Sequence, residues 1–263
     1  MSEYKSKIWL SVGVCTMLGT MDLSQASASS KVTPDAKVQV SGMVEGGEGG
    51  ESGAEEVLEG DALIYMAGLY EMEGAMRAGK DLYKAGDQKA ALAQFNHLIT
   101  LFNADVGHRI EELGFEREHV LVDVEQLPVS VEDNEAFEDF LHTYDHALNE
   151  LDVHALNVEA VQRRDPAFVA ELTVVLLQKI SKFYASKDSV KQAHAAGLAL
   201  TLRDLIGWTA SEMRNKDKAG FAVLVANIDM LCDLLPVTGP FKADPSKVYG
   251  LGAQVEFSLN KVK

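Results

Sequence analysis

A row of carboxylate and imidazole side chains near the middle of the chain is the feature best suited to chemistry. Its members are Glu135, Asp139, His142 and His146. Steps of four, three and four residues place them all on one narrow face of a helix, because each residue turns the helix by about 100°. Carboxylates and imidazoles bind divalent metals, and histidines one turn apart can hold the same ion. The row therefore predicts a metal site.

The helix that would carry this row is predicted for residues 132–157. Its apolar residues share an arc of about 100°, and they are Phe137, Phe140, Leu141, Tyr144, Leu148 and Leu151. The acidic and histidine row lies on the opposite side, which faces water in a simple bundle. A solvated helix face is therefore the alternative interpretation, and metal binding would need a second helix or a partner to complete the ligand set.

A second candidate cation site is the acidic glycine-rich tract near the N terminus. Glu45, Glu48 and Glu51 stand among glycines, and carboxylate oxygens bind hard cations such as Ca²⁺ or ferric iron. The same composition is typical of a solvated linker, since glycine and glutamate bury little surface and lose much entropy on ordering. We expect residues 29–60 to be a disordered acidic linker, with the three glutamates as auxiliary cation collectors.

Several other functional classes are disfavoured by the sequence. It contains no Gly-x-Ser-x-Gly, no His-Glu-x-x-His and no glycine loop that would cradle a phosphate. A protein without enzymatic activity is therefore predicted. The net charge of −16 would repel nucleic acid and anionic lipid surfaces, so neither is an expected partner.

The first 28 residues have the pattern of a bacterial export signal. Lys5 and Lys7 precede an apolar stretch at 8–21, and Ala26-Ser27-Ala28 offers a small-x-small cleavage pattern. The apolar stretch is too short to span a bilayer as a helix, which needs about 20 residues. We expect cleavage between Ala28 and Ser29, and a periplasmic or secreted protein that does not insert into the membrane after signal removal.

Helical spacing dominates the rest of the chain. The first helix after residue 60 has a buried stripe predicted at Tyr65, Leu69, Met72, Met76, Gly79 and Tyr83. Gly79 adds no bulk to the stripe, so a neighbouring helix could approach closely there. Met72 and Met76 could be thioether ligands of Cu(I), but their place in the stripe favours core packing.

The ends of several elements are also marked. Asp87 and the pair Asp165-Pro166 are predicted helix N-caps. Residues 120–131, with Pro128 among them, are predicted to be a connector. We expect an all-α fold, either a helical bundle or stacked helical hairpins, with a helical domain at 61–240. The tail at 241–263 is either an alternating segment or a terminal helix.

Two resemblances bear on function. Tyr83-Lys84-Ala85-Gly86-Asp87, followed by Ala90, Ala91 and Phe95, is similar to the second half of a tetratricopeptide repeat. In that repeat a small residue after the turn lets two helices cross closely, although no second copy occurs at the ~34-residue period. The resemblance implies a helical hairpin that presents a groove to a protein or peptide.

The second resemblance rests on the export signal, the Glu-Gly-Gly tract and a helix that ends at Leu82-Tyr83-Lys84-Ala85-Gly86. Phe183-Tyr184-Ala185, Ala195-Ala196-Gly197 and Gly252-Ala253 fit the same pattern. Together they resemble a group of uncharacterised exported helical proteins of Gram-negative bacteria, some of which occur alongside iron-uptake permeases. This implies a role in handling iron or another metal. Members usually carry a His-Pro element where this chain has Phe95-Asn96-His97-Leu98-Ile99.

These observations support two hypotheses. The first is a periplasmic, non-enzymatic helical protein that binds iron or another divalent metal through the row at 135–146 and serves a membrane transporter. The second is a tetratricopeptide-like scaffold whose acidic faces bind a basic protein partner. Added salt would weaken the second kind of association, because screening shortens the reach of exposed charges to about 8 Å.

Overall fold

The protein is all-α, as predicted, throughout the residues that a computed structural model describes, which are 52–112, 116–156, 158 and 163–262. In chain order the helices are α1 (Ser52–Lys84), α2 (Gln88–Leu101), α3 (Gly107–Glu112), α4 (Arg117–Glu132), α5 (Phe137–Ala155), α6 (Pro166–Ala185), α7 (Ser189–Trp208), α8 (Ala210–Lys216), α9 (Lys218–Leu234) and α10 (Pro245–Val262). Within these ranges, none of the helices combines the length and apolarity that a membrane crossing requires.

Neighbouring helices in the sequence pack as hairpins, and α1 joins them in the middle. The pairs α1–α2, α4–α5, α6–α7 and α9–α10 each make extensive contacts. Helix α1 also packs against α5, α6 and α7, while α10 closes on α6. The architecture is thus a stack of hairpins around α1, with the core between them.

The predicted stripe of α1 is buried, but so is every other residue from 65 to 76, because helices pack around α1 on several sides. Tyr65, Leu69, Met72 and Met76 are all at most 3% exposed. The two methionines are completely buried, so their packing in the core is confirmed.

Two glycine positions bring helices unusually close to α1. A Cβ at Gly197 of α7 would lie 2.0 Å from the carbonyl oxygen of Gly74, so the two backbones touch there. A Cβ at Gly79 would lie 2.5 Å from the ring of Phe95 on α2. At Gly79 the missing side chain makes room for that ring, so the contact there is with a side chain of α2 and not with its backbone.

Both predicted N-caps are confirmed. The Asp87 carboxylate accepts a hydrogen bond from the backbone N–H of Ala90 at 3.0 Å. The Asp165 carboxylate accepts one from Ala167 at 3.1 Å, with Pro166 at the first helical position. Each cap satisfies a backbone donor that the first turn of a helix leaves without a partner.

Between α2 and α3 the chain forms one wider turn, a π segment at 102–106. The core face nevertheless continues through it, since Leu98, Phe102, Val106 and Ile110 are all buried. Because a π turn contains more residues than an α turn, residues that are four apart stay on the same side of the chain through this segment.

Two segments differ from the expectation, and the tail adopts the helical one of its two predicted alternatives. Residues 120–131 belong to helix α4 and are not a connector, because Val120, Val124 and Val131 provide a buried helical stripe and the helix tolerates Pro128 inside it. The tail forms α10, and its Val255 and Leu259 are buried, so the helical unit continues past residue 240. Helix α1 begins at Ser52, inside the stretch 29–60 predicted as a linker, since alanine, glutamate and leucine favour helix there.

The remaining N-terminal predictions lie outside the described residues. These are the export signal at 1–28, the linker up to residue 51, and the three cation-collecting glutamates, Glu45, Glu48 and Glu51.

Candidate metal centre

The α4–α5 hairpin positions the strongest candidate site. Its inner side joins the core through residues such as Leu127 and Phe140, which are fully buried. The chain reverses at Asn134, whose φ of 52° lies in the left-handed region that asparagine tolerates well. Because both helices leave the same turn, residues at equal distances from it come opposite each other. Asp123 on α4 and His146 on α5 are such a pair.

The pair forms a compact group with one further carboxylate. Asp123 Oδ2 lies 2.9 Å from His146 Nδ1, and Glu150 follows His146 by one turn of α5. One ligand atom from each of the three residues lies within 4.8 Å of the other two. Ligands on opposite sides of one metal ion are ~4.2 Å apart when each bond is ~2.1 Å. The spacing of the three ligand atoms is therefore close to that of the ligands of one ion.

The side chains of Asp123 and His146 differ in their exposure to solvent. The Asp123 side chain is 19% exposed, while that of His146 is 67% exposed. The helix packing thus holds the carboxylate in place, and the imidazole remains accessible from solvent. The donor set of one nitrogen and two carboxylates suits borderline first-row ions better than soft copper(I), which prefers thiolate and thioether ligands.

The structure places the four residues of the predicted row differently from one another. His146 is in the group just described. Asp139 and His142 are exposed on α5 and lie outside it. Glu135 precedes the helix, and its backbone carbonyl accepts a hydrogen bond from the Tyr83 hydroxyl at 2.5 Å.

Asp123 and Glu150 are the site residues that the sequence analysis missed. Glu150 follows His146 by four residues, so its place on the same face of α5 was predictable from the sequence. Asp123 could be identified only if residues 117–132 were recognised as a helix. The apolar spacing of Val120, Val124 and Leu127 indicated that helix, but Pro128 argued against it. The second helix that a metal site would need is therefore α4.

A different polar cluster lies where α1 meets α7. The Arg77 guanidinium contacts Glu73 at 2.7 Å and Asp204 at 2.6 Å. Burial raises the pKa of Glu73, and Arg77 opposes that rise. Arg77 therefore pairs with two carboxylates, and the cluster joins α1 to α7.

Comparison of this chain with protein-family models, with curated proteins and with solved structures finds no match.

Proposed function

We propose that this protein is a non-enzymatic metal-binding protein that holds a divalent transition-metal ion between α4 and α5. Its ligands are Asp123, His146 and Glu150, and the observation that carries the proposal is the convergence of their ligand atoms within 4.8 Å. Two of the three come from one helix and the third from its neighbour. Such a site depends on the folded hairpin.

The burial pattern supports reversible binding. Asp123 is held by its position between the buried residues Val120 and Val124, which lowers the cost of arranging the ligands. Exposed His146 leaves the site open to solvent, so an ion can enter and leave without unfolding. Three protein ligands leave further coordination positions for water, which is the arrangement of an exchangeable site.

Two further imidazoles lie one turn away from ligands of the group along their helices. His142 lies one turn before His146 on α5, and His119 lies one turn before Asp123 on α4. The net charge of −16 adds a general attraction for cations. These features favour capture of an ion at the hairpin surface.

The expected export signal extends the proposal to location. A metal-binding protein outside the cytoplasm would buffer ions there and deliver them to a membrane transporter. Iron and zinc are the first ions to test, iron because of the resemblance to exported proteins near iron-uptake permeases and zinc because the donor set suits it.

Isothermal titration of the full chain with Zn²⁺, and anaerobically with Fe²⁺, tests the proposal. We expect one site, and at least a tenfold loss of affinity in His146→Ala and in Asp123→Asn. The matched control combines Glu135→Gln, Asp139→Asn and His142→Gln, which removes the rest of the predicted row and leaves the three ligands intact. Binding no tighter than millimolar in the wild type, or a loss confined to the control, would overturn the proposal.

The alternative function is a tetratricopeptide-like scaffold for a basic partner. The α1–α2 hairpin favours it, because Ala91, a small residue after the turn, is fully buried and α2 packs closely on α1. Capture of a basic peptide that weakens steeply between 50 and 500 mM salt, without any metal binding, would support this function over the first.

A further inference from the structure

Four helices of the bundle meet at a buried group of ionisable side chains. Glu71 comes from α1, His97 from α2, Lys179 from α6 and His194 from α7. His194 is fully buried and His97 is half-buried. The Lys179 ammonium forms an ion pair with the Glu71 carboxylate.

The hydrogen bonds of this group fix the protonation of its central imidazole. His194 Nε2 lies 2.8 Å from the backbone carbonyl oxygen of Glu71, which can only accept, so Nε2 carries the proton. His194 Nδ1 is then an acceptor, and His97 Nε2 lies 3.3 Å away as its donor. The Phe183 ring stacks on His194 with centroids 4.6 Å apart. The neutral imidazole therefore uses both nitrogens and has an apolar wall on one face.

We propose that this junction is an acid-sensitive joint, in which protonation of His194 and His97 separates α2 from α7. The separation follows from the geometry of the pair. A proton on His194 Nδ1 would point at the proton of His97 Nε2, and the hydrogen bond between the two helices would be lost. Two imidazolium ions would then stand side by side inside the bundle.

The surrounding charges do not compensate for that protonation. On α6 the nearest charge is the Lys179 ammonium, which repels an imidazolium. On α1 the Glu71 carboxylate is already paired with Lys179. On α7, Asp188 attracts and Lys191 repels a charge on His97.

The shifts in pKa agree with this geometry. Burial lowers the pKa of His194 to about 3, an effect that the Glu71 carbonyl opposes and that His97 and Lys179 reinforce. Burial also lowers the pKa of His97, and the negative charge of Glu71 partly offsets it. Both imidazoles are therefore neutral in the folded protein at neutral pH.

The sign of the pH dependence follows from linkage. The unfolded chain binds a proton at His194 near pH 6.5, whereas the folded chain does so only near pH 3. Stability is complete above about pH 6.5 and falls as the pH drops from there toward 3. Between pH 7.5 and 5.0 the loss from His194 alone is about thirtyfold in the folding equilibrium constant.

Urea unfolding of the full chain at pH 7.5 and 5.0 tests the joint. The variant His194→Gln keeps a donor for the Glu71 carbonyl but binds no proton. Between pH 7.5 and 5.0 the wild type should lose an additional factor of about thirty in its folding equilibrium constant, and the variant should not show this additional loss. His142→Gln, which removes an exposed imidazole, is the matched control and should retain the wild-type pH profile. Equal pH profiles for the wild type and His194→Gln would overturn the proposal.

A second measurement holds even if the variant does not fold. Ring-nitrogen NMR of the wild type should show His194 as the neutral Nε2–H form at pH 5.0. Hydrogen-exchange protection factors, which correct for the slower intrinsic exchange of amides in acid, should fall between pH 7.5 and 5.0 in the second half of α2 and the first half of α7 more than in α9. A folded-state titration of His194 near pH 6.5, or an equal change of protection across the bundle, would refute the joint.

Discussion

Two contacts that involve histidine, His146 with Asp123 and His194 with His97, have opposite surroundings. His146 stands on the surface beside Asp123, with a side chain 67% exposed. His194 stands in the interior beside His97, with no exposed surface. The first pair joins an imidazole to an acid, and the second joins two bases next to a lysine.

This difference shows that exposure and partners decide what an imidazole can do. At the surface, water stabilises either protonation state and a metal can replace the proton. In the interior, desolvation and the nearby ammonium of Lys179 hold the ring neutral, and both nitrogens are used in helix contacts. The same side chain is therefore a candidate ligand in one region and a structural element in the other.

Replacing Gly197 with alanine should disturb the interior region most. Its new Cβ would lie 2.0 Å from the Gly74 carbonyl oxygen, so α1 and α7 must move apart one turn from the hydrogen bond between His194 and Glu71. We expect a loss of about 3 kcal/mol in the free energy of unfolding, measured by urea denaturation.

Gly207→Ala is the matched control for this substitution, because it lies on the same helix and its Cβ would meet nothing within 4 Å. It should stabilise the protein by about 0.5 kcal/mol. Equal effects of the two substitutions would show that the crossing of α1 and α7 is not tightly packed.

Lys179→Met tests the ionic part of the interior region. The substitution leaves the Glu71 carboxylate, whose side chain is 11% exposed, without its partner. Breaking a fully buried pair costs about 3–5 kcal/mol, and we expect about 2 kcal/mol here because solvent reaches a third of the lysine. Thermal or urea unfolding at pH 7.5 measures it, and a cost no larger than that of Asp123→Asn would contradict the contrast between the two regions.

His146→Gln should have the smallest effect on stability. An exposed ion pair contributes about 0.2–1 kcal/mol, so we expect a change below about 0.5 kcal/mol in the free energy of unfolding. Metal affinity should nevertheless fall at least tenfold. A large loss of stability together with unchanged metal binding would reverse the roles assigned to the two regions.

Much of the fold was predictable because apolar spacing and helix caps are patterns within short segments of the sequence. The stripe from Tyr65 to Met76, the cap at Asp87 and the Asp165-Pro166 start each depend on residues within a few turns of one another. Pro128 hid α4, since proline usually ends a helix, although the valine spacing around it was intact. The tail was ambiguous because Val255 and Leu259 fit a helix while Val255, Phe257 and Leu259 also alternate.

The candidate site was only partly predictable for the same reason. His146 was identified from spacing along one helix, and Glu150 continues that spacing. Asp123 belongs to the preceding helix, so its proximity depends on how α4 packs against α5. His97 and His194 are 97 residues apart along the chain, and no local pattern could have joined them.

The wide turn at 102–106 has a consequence for length changes in this part of the chain. Removing one residue would allow the segment to close as an ordinary α turn. Residues after the deletion would keep their orientation, because the extra residue is accommodated within the wide turn, and Ile110 would stay on the core side. A single-residue deletion here would therefore leave the downstream helix face in place, whereas the same deletion inside an ordinary α-helix would rotate every later residue of that helix by about 100°.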